Sequence, residues 1–244
     1  MHSIKILKTN QVYRVTDLIF RRGVRWEQDR EAILSDPQYS DTILYAYLTQ
    51  KKRENDLATF RKIVRQFQDR YEQPSLSSLV VHLRLGDVMD DWDDNHPQKY
   101  LQTKKMFQDL ILEDLPDIKN ATIVTALHFG ANPINNMYFY SDKAKQRSFD
   151  ILNLVSDQLQ KKGMKVSYKS SEDIDEDLCY LAGSKYFLRS LSDFSRIAIE
   201  CMPARAKIWS PDDTPVYHKP WHSVFNRKFR KFHGYSPTVQ QKKV

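Results

Sequence analysis

Strand-like and helix-like segments alternate between residues 120 and 212, and this alternation limits the fold more than any other feature of the chain. Apolar residues recur at helical spacing in residues 143–162, 174–182 and 192–201. The segments around them are short and rich in β-branched or aromatic residues, as strands are: TIVTALHF, MKVSYKS, KYFLRS and AKIWS. Strands joined through helices by short connections form a parallel sheet with helices on both faces. We therefore predict an α/β fold with a doubly wound parallel sheet.

An earlier strand and a helical region precede this lobe. SLVVHLRL has the composition of a buried strand and follows the turn residues Gln73-Pro74-Ser75. Upstream, residues 55–71 carry one apolar stripe at helical spacing. These patterns predict three parts: a reduced, mainly helical region at 1–78, an α/β lobe at 79–213 and a tail at 214–244.

The tail holds the excess positive charge. Of the 38 Lys and Arg residues, seven lie at or after Thr214, where no acid occurs, so residues 1–213 carry 31 of each sign. Blocks such as FNRKFRKFHGY, with aromatics between cations, are typical of segments that bind nucleic acid, anionic glycans or acidic lipid. A solvated basic terminus, or one folded back on an acidic patch, fits the composition equally well.

Several classes of protein are excluded or disfavoured. Six glycines, none spaced as G-x-G-x-x-G or G-x-x-x-x-G-K-[ST], exclude the usual dinucleotide and P-loop motifs. No stretch approaches the ~18 apolar residues of a membrane span, and no secretory signal follows Met1. The two cysteines, Cys179 and Cys201, are too few for a disulfide framework and lie in apolar stretches, which predicts buried thiols and a cytoplasmic location.

The segment His82-Leu83-Arg84-Leu85-Gly86-Asp87 is the sharpest local signal. The two-residue period of a strand places His82 and Arg84 on the same side, at the strand's end. There Gly86 allows close approach of the backbone to a ligand, and a guanidinium fork suits a diphosphate. An ion pair between Arg84 and Asp87 explains the same residues without a ligand.

VVHLRLGD resembles the H-x-R-x-G/D motif of fucosyltransferases of the GT-B type, which include the α-1,2, α-1,6 and protein O-fucosyltransferase groups. DLCYLAGSKYFLRSLSDFSRIAIE is similar to the C-terminal segment of the α-1,2 group, in which an S-x-F-S turn starts a helix. The resemblance covers residues 79–212. Leu85 stands where several relatives have a second arginine, and Arg196-Ile197 replaces their paired tryptophans, so the linkage does not carry over.

The resemblance implies a metal-independent, inverting glycosyltransferase that uses a nucleotide-diphosphate sugar, most often GDP-fucose, and needs no cofactor. Arg84 would bind the β-phosphate and offset charge on the leaving diphosphate. The other residues implied at the donor site are His82, Gly86, His128, Gly130, Ser192, Phe194 and Ser195.

An inverting transfer needs a general base beside the acceptor hydroxyl, usually a carboxylate. The candidates are Asp87, Asp91 and Asp93, in a loop of five aspartates after Arg84. Asp91-Trp92-Asp93 also spells D-x-D, a metal and sugar-diphosphate pattern of another glycosyltransferase fold. The expected partners are a GDP-sugar, a glycan acceptor and, through the tail, a polyanion or membrane surface. The rival functions are a glycosyltransferase with another nucleotide sugar and a non-catalytic binding module of the same fold.

Overall fold

A computed structural model describes residues 4, 6–9, 24–53, 55–86, 89, 107, 112, 115–130, 142–190, 192–210 and 216–217. Within these residues the α-helices are α1 (Val24–Ser35), α2 (Ile43–Gln50), α3 (Leu57–Gln68), α4 (Asp142–Lys161), α5 (Ile174–Ala182) and α6 (Asp193–Cys201). The strands are β1 (Ile6–Thr9), β2 (Ser78–His82), β3 (Leu85–Gly86), β4 (Asn120–Val124), β5 (Leu127–Gly130), β6 (Lys165–Lys169), β7 (Tyr186–Leu188), β8 (Lys207–Trp209) and β9 (Val216–Tyr217).

The main sheet is parallel and doubly wound. Its strands lie in the order β6-β4-β2-β7-β8-β9, and every neighbouring pair is parallel except β8 with β9. The chain begins this sheet at β2, runs outward through β4 to β6, and then crosses over to β7 on the other side of β2. The α/β prediction is therefore confirmed, and the strand order reverses between β2 and β7.

Two central strands continue beyond the main sheet in unbroken register. His82 lies opposite Val124, and three residues later Leu85 lies opposite Leu127. The Thr125 hydroxyl spans the interruption by donating to the Leu83 carbonyl at 2.8 Å. On the far side of β5, the strand β1 pairs in parallel from Ile6 to Thr9. The strand has only four residues, ILKT, which are too few to show the alternation of apolar and polar residues that predicts a strand.

Each face of the sheet is buried under its own helices. Alternate residues of β2 point to opposite faces of the sheet. Val80 packs in the core formed with α2, α3, α5 and α6, and Val81 packs in the core formed with α4. Gly163, at a φ of 81°, ends α4 and lets the chain turn into β6, as a C-terminal glycine does. Helices on both faces leave the carboxyl edge of the sheet as the place where strand ends and helix starts meet.

The helices before residue 79 pack on the sheet rather than apart from it. Phe60, Ile63 and Val64 of α3 share one core cluster with Val80 of β2 and Phe187 of β7. Arg61 also reaches Glu200 of α6, with Nη2 2.6 Å from the carboxylate. The N-terminal helices thus supply a layer of the α/β structure, and the domain division at residue 78 stays a prediction.

None of the helices in the described part of the chain combines the length and apolar character needed to cross a bilayer.

Candidate functional site

The order of strands defines one crevice at the carboxyl edge of the sheet. The segments that follow β2 and β7 lead to opposite faces of the sheet. Ligands of doubly wound sheets bind at such a position, where the strand order reverses. His82 is the last residue of β2, and the segment after β7 leads within a few residues into α6. The side chains at this reversal point therefore form the first candidate site.

His82 contacts two of the three serine hydroxyls that lie together in this crevice, the group we call the serine cluster: Ser190, Ser192 and Ser195. The imidazole Nδ1 lies 2.6 Å from Oγ of Ser195 and 3.2 Å from Oγ of Ser190. The hydroxyls also lie 3.1–3.3 Å from one another. His82 is only 6% exposed and the serines are buried, so these groups satisfy their polar atoms through one another.

Local sequence explains why α6 begins at this cluster. Ser192 is extended, with φ −138° and ψ 151°, and its hydroxyl accepts the Ser195 amide N–H at 3.0 Å. This is the N-cap geometry that serine favours. Phe194, in the first turn, holds its ring 5.6 Å from the His82 ring in an edge contact. The start of α6, where helix N–H groups favour an anion, is thus fixed against the end of β2.

Arg84 lies between β2 and β3, two residues after His82, and Gly86 is the last residue of β3. Arg84 is half-buried, and one Nη donates to the Leu85 carbonyl at 2.5 Å. Gly86 has a φ of 93°, which favours glycine, and its N–H donates to Ser148 Oγ on α4 at 3.0 Å. Gly86 therefore has a structural reason to be glycine, and its donor contact stays a prediction.

Apart from Arg84 and Gly86, the predicted site residues fall into three groups. His82, Ser192, Phe194 and Ser195 come together at the crevice. His128 and Gly130 lie in β5, which pairs with β3, on the side of β2 and β3 away from β7. The candidate bases Asp87, Asp91 and Asp93 lie outside the described residues, as do the D-x-D segment and all of the tail except Val216–Tyr217.

Ser190 is a member of the crevice in addition to the donor-site residues that the resemblance implies. Its hydroxyl contacts His82, and its N–H lies 3.3 Å from Ser195 Oγ, to which it donates. Serines at 190, 192 and 195 directly after a predicted strand are the signal that identifies it. Cys179 and Cys201, by contrast, are buried as predicted, and burial raises the pKa of the Cys179 thiol to about 12.

Within the described residues, no three His, Cys, Asp or Glu side chains are grouped as metal ligands would be. No family model matches the sequence, no curated protein matches it, and no solved structure matches its fold.

Proposed function

We propose that the protein is an inverting glycosyltransferase of the GT-B type that binds a nucleotide-diphosphate sugar, GDP-fucose in the first instance, at the crevice between β2 and β7. One observation carries the proposal: His82, at the end of β2, is bonded to Ser195, in the first turn of α6. The two segments that resemble fucosyltransferases thus meet at the place where doubly wound sheets bind ligands.

The chemistry of the crevice suits a diphosphate. The first amides of α6 offer N–H groups and the positive end of the helix dipole. Arg84 follows His82 by two residues, and one guanidinium group can donate two parallel hydrogen bonds to a phosphate. In the proposed role both groups offset negative charge as the nucleoside diphosphate departs, which is transition-state stabilisation by fixed dipoles and charge.

The proposed reaction is a single displacement. The acceptor hydroxyl oxygen forms a bond to the anomeric carbon while the bond from that carbon to the diphosphate oxygen breaks. The hydroxyl proton passes to a carboxylate, for which Asp87, Asp91 and Asp93 are the candidates. The diphosphate leaves with the electron pair of the broken bond, and attack on the face opposite the departing diphosphate inverts the configuration of the anomeric carbon.

A thermal-shift panel tests the donor site without any acceptor. GDP, UDP, ADP and their sugars are added to the full chain without metal and then with Mg²⁺ or Mn²⁺, since a ligand of the native state raises Tm by mass action. We expect GDP to raise Tm without metal, Arg84→Ala to abolish the shift, and the exposed-surface control Arg53→Ala to keep it. A UDP or ADP response instead selects another nucleotide sugar, and no response to any nucleotide overturns the proposal in favour of a binding module.

A further inference from the structure

The amino-terminal edge of the sheet, opposite the candidate site, is basic. It is formed by the residues just before the parallel strands, here called the lysine edge: 74–77, 115–119, 161–165, 183–185 and 203–207. These described segments contain one acid, Asp117, and seven cations: Lys119, Lys161, Lys162, Lys165, Lys185, Arg205 and Lys207. Six of the seven cations are exposed, and Lys207 is half-buried.

Sheet pairing, rather than sequence proximity, collects these cations. The Lys165 N–H donates to the Lys119 carbonyl at 2.7 Å, and the Lys207 N–H donates to the Lys185 carbonyl at 2.8 Å. The backbones of two pairs of lysines thus lie side by side, one pair on each side of β2. Within the described segments the one acid, Asp117, forms an ion pair with Lys119 at 2.5 Å, so the edge keeps an excess of six positive charges, which suits an anionic partner.

The edge is also broad. The five parallel strands from β6 to β8 are separated by about 4.8 Å each, so the row of strand starts extends over about 19 Å. Between the two lysine pairs, in the loop that leads into β2, Leu76 is 65% exposed. An extended row of cations around an exposed leucine is complementary to a surface that presents many phosphate groups above an apolar layer.

We propose that the lysine edge docks the protein on an anionic membrane surface. Juxtaposed lysines attract the negative headgroups of a bilayer, and the exposed leucine inserts at the boundary between headgroups and acyl chains. This inference concerns the end of the sheet opposite the crevice and does not rest on the proposed function.

The edge fits a bilayer better than a nucleic acid. Single-stranded nucleic acids need open aromatic rings for base stacking. The two described aromatics here are covered, since Lys185 Nζ lies 5.2 Å from the centre of the Tyr186 ring and Lys207 Nζ lies 5.1 Å from that of Trp209. Six of the seven cations are lysines, which act as point charges, whereas bidentate recognition of phosphates and bases favours arginine.

Co-sedimentation of the full chain with vesicles tests this inference. The probes are vesicles of phosphatidylcholine containing phosphatidylserine and vesicles of phosphatidylcholine alone. The variant Lys165→Gln/Lys185→Gln removes one cation from each lysine pair, and Lys143→Gln/Lys145→Gln removes the same charge from the first turn of α4, about 24 Å along that helix from Lys161. A third variant, Leu76→Ser, removes the apolar contact, and a melting curve of each variant checks that it folds.

We expect binding to phosphatidylserine vesicles only, and a partition coefficient about 25-fold lower in the edge variant, since each cation near the surface contributes about fivefold. The control pair lies at the far end of α4 from the edge and should change it by less than about twofold, while Leu76→Ser weakens it. An equal fall in both lysine variants, or none in the edge variant, overturns the inference. So does an edge variant that loses binding to a single-stranded RNA oligonucleotide but keeps binding to vesicles.

Discussion

His82 and Ser195 are 113 positions apart in the chain, yet Nδ1 of the first lies 2.6 Å from Oγ of the second. The contact joins the end of the central strand to the first turn of α6, which other buried hydroxyls then surround. Since the ring and hydroxyls satisfy one another, this buried network holds the end of β2 against the start of α6.

The first prediction concerns the coupling of these two residues. His82→Ala and Ser195→Ala each disrupt the same buried network, so their effects on the free energy of unfolding should be non-additive by about 0.5–3 kcal/mol. Urea denaturation of the single and double variants measures this. Ser156, a buried serine on α4 at the other face of the sheet, provides the control, because His82→Ala and Ser156→Ala should be additive.

A second prediction separates folding from ligand binding at Ser192. Ser192→Ala removes the acceptor of the Ser195 N–H and should lower stability by about 1 kcal/mol, the usual value of an N-cap. Ser192→Asp retains a capping oxygen and suits the helix dipole, but its charge repels a diphosphate. We expect it to be nearly as stable as the wild type and to lose the GDP-induced Tm shift. A full shift in Ser192→Asp would place the diphosphate elsewhere.

Glu200 gives stability a pH dependence. Its carboxylate is 2% exposed, and burial raises its pKa from 4.5 to about 7 despite the opposing charges of Arg61 and Arg196. A folded-state pKa above the unfolded one means that the folded state binds the proton more tightly. The contribution of Glu200 to stability therefore falls as pH rises from about 4.5 to about 7.

The third prediction follows from this sign. At about pH 5 Glu200 is mostly protonated, so the charge of Arg61 stabilises it little. At about pH 8 Glu200 is ionised, and the loss of Arg61 leaves a buried charge without its ion pair. Arg61→Ala should therefore lower stability by at least about 1 kcal/mol more at the higher pH. Arg65→Ala, on the exposed side of the same helix, should show no such difference. Urea titrations at the two pH values decide between these results.

The fourth prediction concerns the contact that fixes α2. The Ile43 N–H lies in the first turn of that helix, where amides have no acceptor within the helix, and it donates to Asp175 Oδ2 at 2.8 Å. Asp175→Ala leaves this buried amide unpaired and should lower stability by about 1–3 kcal/mol. Asp175→Asn keeps an acceptor oxygen and should lose clearly less. Equal losses in the two variants would show that the hydrogen bond contributes nothing measurable.

Local patterns determined much of the α/β lobe. Residues 174–182 form a helix with the predicted bounds, and Ser192 caps the helix predicted at 192–201. Gly163 adopts the left-handed conformation expected of a residue that ends a helix. These features depend on periodicity, capping and turn chemistry, which act within a few residues and can therefore be read from the sequence.

Other features depend on partners far along the chain. The four residues of β1 form a strand because β5 offers them an open edge, and the helices before residue 79 share a core with the sheet that follows them. Ser190 belongs to the candidate site because a crossover brings it beside His82. Neither periodicity nor composition contains this information.

The sequence by itself determined most strands and helices of residues 120–212, the end of α4, the start of α6, and that polar groups gather at strand ends. Only the tertiary structure decided that the strand order reverses between β2 and β7, that His82 faces the serine cluster there, and that lysines from separate loops share the opposite edge. The physical reason is range: capping and amphipathic periodicity are local, whereas strand order comes from the burial of both sheet faces by the whole chain.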